Sequence, residues 1–176
     1  MKDLPVRKSI RLKDYNYSSN GAYFITVCVK DRHEMLGRII VGSDALGAPV
    51  VELSEHGEFV KKEIEATTSH YAGVEIDKFI VMPNHVHMII MVGRDGAPRA
   101  SRPTTALIPT IVTALKKTIK AFGFDFWQAS YHDHIIRDEE DYQNHFRYID
   151  ENPARWAEDE YYGGKENANT ACCGLE

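Results

Sequence analysis

Apolar and polar residues form two kinds of pattern along the chain, one typical of strands and one typical of helices. Together these patterns predict a mixed fold. Six stretches are rich in β-branched and aromatic residues, or apolar at nearly every position, as strands are; they span residues 22–30, 38–41, 50–53, 74–82, 85–92 and 132–136. Three others show the apolar spacing or the capping residues of helices; they span residues 54–70, 107–122 and 138–151.

The order of these elements predicts an α+β fold, the ferredoxin-like split β-α-β sandwich. Residues 38–41 and 50–53 flank a turn-forming segment and form a small inserted hairpin. Without it the order is β-α-β-β-α-β followed by an additional C-terminal helix. That order predicts a four-stranded antiparallel sheet with two helices on one face. Residues 22–30 and 85–92 would be the central strands, in agreement with their apolar character.

Two histidines at the start of a predicted strand are the first candidate for chemistry. His85 and His87 follow a Pro-Asn turn. Because successive side chains on a strand alternate between faces, both imidazoles point the same way, to the sheet face that the two helices leave open. Two imidazoles so placed can reach one divalent metal ion. The spacing alone is weak evidence, since a chance His-x-His match is common in a chain with eight histidines.

The last predicted helix carries a second set of candidates. Tyr148 and Asn152 are four residues apart and share a helix face with Asn144 and His145. A tyrosine hydroxyl can act as a covalent nucleophile, and an amide oxygen can bind a hard metal ion. Two imidazoles and one amide would leave such an ion open positions for a phosphoryl oxygen. The alternative is that Tyr148 is simply an aromatic residue packed on the sheet.

Charge and composition narrow the possible partners only a little. The net charge of −5 is unevenly spread, because residues 1–13 are basic and the segment after residue 154 is acidic. A basic segment can contact phosphate or can simply be solvated. We expect one domain over residues 1–176, with a basic arm at 1–21 and a flexible acidic tail at 157–176. Three cysteines without a disulfide pattern, and no membrane-length apolar run, favour a cytoplasmic protein.

Several motifs in a fixed order identify a family resemblance. They are Met-Pro-Asn-His-Val-His at 82–87, Phe-Trp-Gln at 126–128, His-Asp-His-Ile-Ile-Arg-Asp-Glu-Glu-Asp at 132–141 and Tyr-Ile-x-x-Asn-Pro at 148–153. The N-terminal segments 7–12 and 15–24 add to them. From about Pro5 to Trp156 the chain resembles the single-tyrosine transposases of the His-hydrophobic-His superfamily, most of all the REP-associated tyrosine transposase branch.

The resemblance implies a function and a role for each matched residue. Such enzymes cut single-stranded DNA at the foot of hairpins and form a 5′-phosphotyrosine intermediate, sometimes as homodimers. By this resemblance Tyr148 is the nucleophile, while His85, His87 and Asn152 bind Mg²⁺ or Mn²⁺. The protein would then be associated with the nucleoid when bound to DNA.

Further DNA contacts are expected from side chains outside this set. A flexible basic arm can track a hairpin backbone. Trp127 could stack a base, although packing beneath the active site is the better interpretation of its motif. The candidates for these contacts are Arg7, Lys8, Arg11, Lys116 and Trp127.

Two other functions remain open at this point. One is a zinc-dependent hydrolase that combines His85 and His87 with the second pair, His132 and His134. The other is a catalytically silent module that binds DNA hairpins.

Overall fold

The predicted elements are confirmed in a computed structural model that describes residues 20–41, 48–93, 107–159 and 161–162. The strands are β1 Gly21–Cys28, β2 Gly37–Val41, β3 Pro49–Leu53, β4 Val74–Val81, β5 His85–Val92 and β6 His132–Ile136. The α-helices are α1 Glu55–His70, α2 Leu107–Ala121 and α3 Glu139–Glu151, and short 3-10 helices occur at Lys30–Arg32 and Trp156–Glu158. The predicted basic arm, with Arg7, Lys8 and Arg11, lies outside the described residues apart from its last two positions.

The main sheet has the predicted topology. Its four strands pair in the order β4-β5-β1-β6, and every pairing is antiparallel. The central strands β1 and β5 are those that the sequence predicts, which confirms the ferredoxin-like arrangement. Strands β2 and β3 form a separate two-stranded sheet, as predicted for the inserted hairpin.

One face of the main sheet is covered by α1 and α2. The buried side chains on this covered face are aliphatic or aromatic, and they include Ile25, Val86, Met88 and Ile90 from the sheet and Val60, Ile64, Ile108, Ile111 and Ile119 from the helices. Helix α1 begins where the hydroxyl of Ser54 accepts a hydrogen bond from the backbone N–H of Gly57 at 3.2 Å.

The opposite face, which we call the open face, is covered only in part by α3. Ile149 of α3 packs against Ala22 and Ile89 of the two central strands. The helix begins at Asp138, whose carboxylate accepts a hydrogen bond from the N–H of Asp141 at 2.9 Å. The start of β5, where His85 and His87 lie, is covered by Tyr148 of α3 and by the chain that follows this helix. None of the described helices is long and apolar enough to cross a membrane.

Candidate metal and nucleophile site

The two histidines of β5 form a buried pair. His85 is 0% and His87 1% exposed, and their ring centroids lie 4.4 Å apart. The Nε2 atom of each ring is buried and has no hydrogen-bond partner among the residues that the structure describes. Buried polar atoms are nearly always paired, so two unpaired imidazole nitrogens at one place indicate a ligand site.

Neighbouring side chains fix the orientation of both rings. Asn84 donates through Nδ2 to the carbonyls of Arg32 and Tyr161, at 3.0 and 2.8 Å, so its Oδ1 is the acceptor that faces Nδ1 of His85 at 2.9 Å. Neutral His85 therefore carries its proton on Nδ1 and its lone pair on Nε2. The Nδ1 atom of His87 lies 2.8 Å from the hydroxyl of Thr26, which can accept a hydrogen bond from Nδ1–H when Nε2 binds a metal.

Burial keeps both imidazoles neutral at neutral pH. It lowers the pKa of His85 from 6.5 to about 4, although the nearby carboxylate of Asp159 acts in the opposite direction. Burial also lowers the pKa of His87 well below its ordinary value, and electrostatic interaction with His85 and His145 lowers it further. A neutral imidazole is the form that binds a metal ion.

Helix α3 places Tyr148 and Asn152 over this pair. The ring centroid of Tyr148 is 5.1 Å from that of His87. Asn152 is 2% exposed, and its amide oxygen is buried without a partner among the described residues. Tyr148 and Asn152 share with His87 the lining of a pocket of about 650 Å³. The four residues that the motifs single out therefore come together at one place.

A fifth residue of the site, Asp159, falls in the predicted flexible acidic tail. It is 7% exposed and follows the short helix Trp156–Glu158. Its Oδ2 accepts hydrogen bonds from the hydroxyl of Tyr148 at 3.2 Å and from Nδ2 of Asn152 at 2.9 Å. One of its oxygens and a ring nitrogen of each buried histidine all lie within 4.8 Å of one another.

The described part of this tail is packed against the site, which corrects the predicted boundary. The rings of Trp156 and Tyr161 lie 5.8 and 4.8 Å from that of His85, and these two residues are buried, as is Asp159 between them. Aromatic residues on both sides of Asp159, in an otherwise polar stretch, are the signal that could have found it. Residues 160 and 163–176 lie outside the described part of the chain.

His134 of the second histidine pair takes part in a different cluster, together with Asp141 and His145. Nε2 of His134 lies 2.8 Å from a carboxylate oxygen of Asp141, and its ring is stacked on that of His145 at 4.6 Å. The possible metal-binding atoms of His134, Asp141 and His145 form one group, and those of His85, His87 and Asp159 form another. His132 belongs to neither group. The four-histidine zinc site is therefore not formed among the described residues, so the hydrolase hypothesis loses its basis.

Two predicted DNA contacts, Lys116 and Trp127, do not line the pocket. The ammonium group of Lys116 donates to the carbonyls of Gln128 and Ser130, both at 2.8 Å. Trp127 is 6% exposed and belongs to the core of the covered face, so its ring offers no surface on which a base could stack. The ring lies in this core, and packing directly beneath the site stays a prediction.

Comparisons with known proteins agree with this picture. No family model matches the chain. It is 36% identical, over 174 residues, to an uncharacterized protein of Haemophilus influenzae, an alignment that covers 89% of this chain and 93% of the relative. It is 24% identical over 149 residues to a second protein of that organism, provisionally named a REP-associated tyrosine transposase, with 80% of this chain and 74% of the relative covered.

A solved structure shares the fold. It is that of a REP-associated tyrosine transposase bound to a REP hairpin, with a TM-score of 0.58 and 23% identity over 83% of this chain and 73% of that one. The chain thus belongs to one family with the uncharacterized Haemophilus influenzae protein, and its resemblance to the REP-associated tyrosine transposases is confirmed.

Proposed function

We propose that the protein is a transposase-like enzyme that cuts and rejoins single-stranded DNA at hairpins, with Tyr148 as the nucleophile. The observation that carries the proposal is the position of this phenol beside His87, which forms with His85 a buried pair whose Nε2 atoms have no partner among the described residues. The family resemblance supports the choice of substrate, since the solved relative is bound to a DNA hairpin.

His85, His87 and Asn152 are proposed to hold a divalent cation. The fit rests on their three buried acceptor atoms, which are two imidazole nitrogens and one amide oxygen without partners in the described chain. Mg²⁺ and Mn²⁺ both accept oxygen ligands, and the two imidazoles favour Mn²⁺. A cation bound there would polarise a phosphoryl oxygen as a Lewis acid.

Tyr148 supplies the covalent chemistry of the proposal. A bond forms between its phenol oxygen and phosphorus, and the bond from phosphorus to the 3′-oxygen breaks. The phenol loses a proton and the departing 3′-oxygen gains one, so the products are a 5′-phosphotyrosine and a free 3′-hydroxyl. The phosphodiester energy is conserved for rejoining. An ordinary tyrosine, with a pKa of about 10, is a weak nucleophile at neutral pH, so this step depends on positioning and on charge neutralisation.

The pocket suits such a substrate. Its volume of about 650 Å³ lies within the range of known ligand pockets and leaves room for a nucleotide beside Tyr148. The hydroxyl of Tyr148 is oriented by its hydrogen bond to Asp159, which holds the phenol toward the buried imidazoles.

The test is a search for a covalent protein–DNA adduct. The protein is incubated with a hairpin oligonucleotide that has a single-stranded flank, with Mn²⁺, Mg²⁺ or EDTA, and is then separated on a denaturing gel. We expect an adduct with either cation and none with EDTA. Because tyrosine takes the 5′-phosphate, a label at the 3′ end of the DNA should remain with the protein.

Tyrosine variants identify the nucleophile. Tyr148→Phe should abolish the adduct, whereas Tyr142→Phe should retain it, because Tyr142 lies on the same helix but hydrogen-bonds to Asp77, away from the pocket. Mass spectrometry of the nuclease-treated adduct locates the modified residue independently. An adduct that persists in Tyr148→Phe would refute the assignment. Hairpin binding without any adduct in the wild type would favour the silent binding module.

A further inference from the structure

Asp159 stands out among the residues of the site because it is a buried acid that no motif includes. A carboxylate that is only 7% exposed loses most of its hydration, so positive charge or strong hydrogen bonds must stabilise it. Three of its contacts are hydrogen bonds from neutral groups, namely the hydroxyl of Tyr148, the side-chain amide of Asn152 and the backbone N–H of Tyr161. A divalent cation bound beside the carboxylate would add positive charge to this set.

The donor atoms of Asp159, His85 and His87 converge closely enough for one ion. All three lie within 4.8 Å of one another. Two ligands on opposite sides of an ion at about 2.1 Å would be roughly 4.2 Å apart. Only a small adjustment of side chains would therefore bring the three donors to bonding distance.

Asp159 also orients the amide that was proposed as the third ligand. Its Oδ2 accepts a hydrogen bond from Nδ2 of Asn152 at 2.9 Å. This bond identifies which end of the amide is nitrogen, and so leaves the oxygen of Asn152 as the atom without a partner in the described chain.

The segment that carries Asp159 is fastened to the histidine strand. Oδ1 of Asp159 accepts from the backbone N–H of Tyr161 at 2.6 Å. The carbonyl of the same Tyr161 accepts from Nδ2 of Asn84, the residue that orients His85. One chain of hydrogen bonds thus connects the carboxylate with an imidazole, as expected for two ligands of one ion.

We propose that Asp159 is a further metal ligand, which makes the site a set of two imidazoles, one amide oxygen and one carboxylate. The proposal rests on the proposed function in that it assumes a divalent cation at this pair of histidines. The carboxylate would neutralise one of the ion's two positive charges. As a hard oxygen ligand, it would also shift the preference of the site toward Mn²⁺ and Mg²⁺, relative to metals that favour nitrogen ligands.

The test compares the affinities of the full-length protein and its variants for two metals. Mn²⁺ binding is followed by the electron paramagnetic resonance of the unbound ion, and Ni²⁺ binding by calorimetry, without DNA. Asp159→Asn should weaken Mn²⁺ binding at least tenfold and Ni²⁺ binding less than threefold, because imidazoles contribute more to nickel binding. Glu158→Gln removes the same charge from the exposed neighbour that pairs with Arg155, and it should change both affinities less than twofold.

The ratio of the two affinities distinguishes a ligand from a residue with a structural role. If Asp159→Asn weakens both metals equally, or if it leaves Mn²⁺ binding unchanged, the proposal is overturned. Thermal unfolding of each metal-free variant shows whether the fold is retained, and Asp159→Glu, which keeps the carboxylate, should recover part of the Mn²⁺ affinity. A wild-type protein that binds no Mn²⁺ would refute the metal site itself. Binding that needs His85 but not Asp159 would refute only the role of Asp159.

Discussion

The two faces of the main sheet are built from the same strands but differ in what their buried atoms need. On the covered face, Val86, Met88 and Ile90 of β5 pack against apolar helices and require no partner beyond van der Waals contact. On the open face, His85 and His87 of the same strand are just as buried, yet each has an Nε2 atom without a partner in the described chain. Alternate residues of this one strand therefore have different roles: one set packs in the apolar core, and the other contributes to the candidate site.

This separation explains why the site can tolerate unpaired polar atoms. Burying unpaired polar atoms reduces the free energy of unfolding, and proteins retain such destabilising groups where function requires them. The covered face supplies the compensating stability, because its apolar side chains fill the space between the sheet and two helices. Helix α3 covers the open face mainly through Ile149 and leaves room for a pocket beside it.

The largest expected effect comes from damage to the covered face. Ile90→Ala should lower the free energy of unfolding by about 2–5 kcal/mol, through lost apolar contact and a residual cavity, because Ile90 is 0% exposed. Urea denaturation measures this loss, and Mn²⁺ affinity of the folded variant should change less than threefold. The matched change on the open face, His87→Ala, should abolish Mn²⁺ binding with a smaller loss of stability. If both variants lost stability and metal binding to the same extent, the two faces would not be separable.

A smaller effect is expected from the hydroxyl that orients His87. Thr26→Val keeps the shape of the side chain but removes the partner of Nδ1, so Mn²⁺ affinity should fall by about 10- to 100-fold. Thr67→Val is the matched control, because Thr67 is also buried but donates to the carbonyl of Glu63 within α1. That variant should bind Mn²⁺ like the wild type. If Thr26→Val bound Mn²⁺ as tightly as Thr67→Val, the hydroxyl of Thr26 would not support the metal site.

Most of the fold could be predicted because its signals are local. Ser54 and Asp138 mark the helix starts by their own side chains, and the apolar strands indicate which positions are central. The position of α3 on the sheet follows from no such signal, because it depends on the fit of Ile149 against Ala22 and Ile89. The pattern of the chain therefore predicted the helix but not where it packs.

The site could be predicted only in part, because some of its residues belong to local motifs and others are brought there only by the fold. Motifs and resemblance identify His85, His87, Tyr148 and Asn152. In the structure the last three line one pocket, and His85 is buried beside His87. Thr26 could not be found this way, since it lies 61 residues from His87 in sequence and reaches it only through the pairing of two strands. Asp159 was missed because an acidic residue in a polar tail is expected to be solvated, and its burial depends on contacts with α3 and Tyr161 that only the fold creates.

The smallest effect concerns Lys116, a half-buried polar group of helix α2 on the covered face, whose amine, unlike the two imidazoles, has hydrogen-bond partners. Burial lowers the pKa of Lys116 from 10.5 to about 8, with partial opposition from Cys28, while its amine contacts two carbonyls. Between pH 8 and 10.5 the unfolded chain therefore binds more protons than the folded one, so the free energy of unfolding should rise with pH in this window. Solvent screening of the partly exposed amine limits the rise to about 1 kcal/mol or less. The test is to measure the free energy of unfolding of the wild type and of Lys116→Met at pH 7.5 and at pH 10. The difference between the two proteins cancels the titration of tyrosines, which they share. If this difference were the same at both pH values, the amine would not be desolvated.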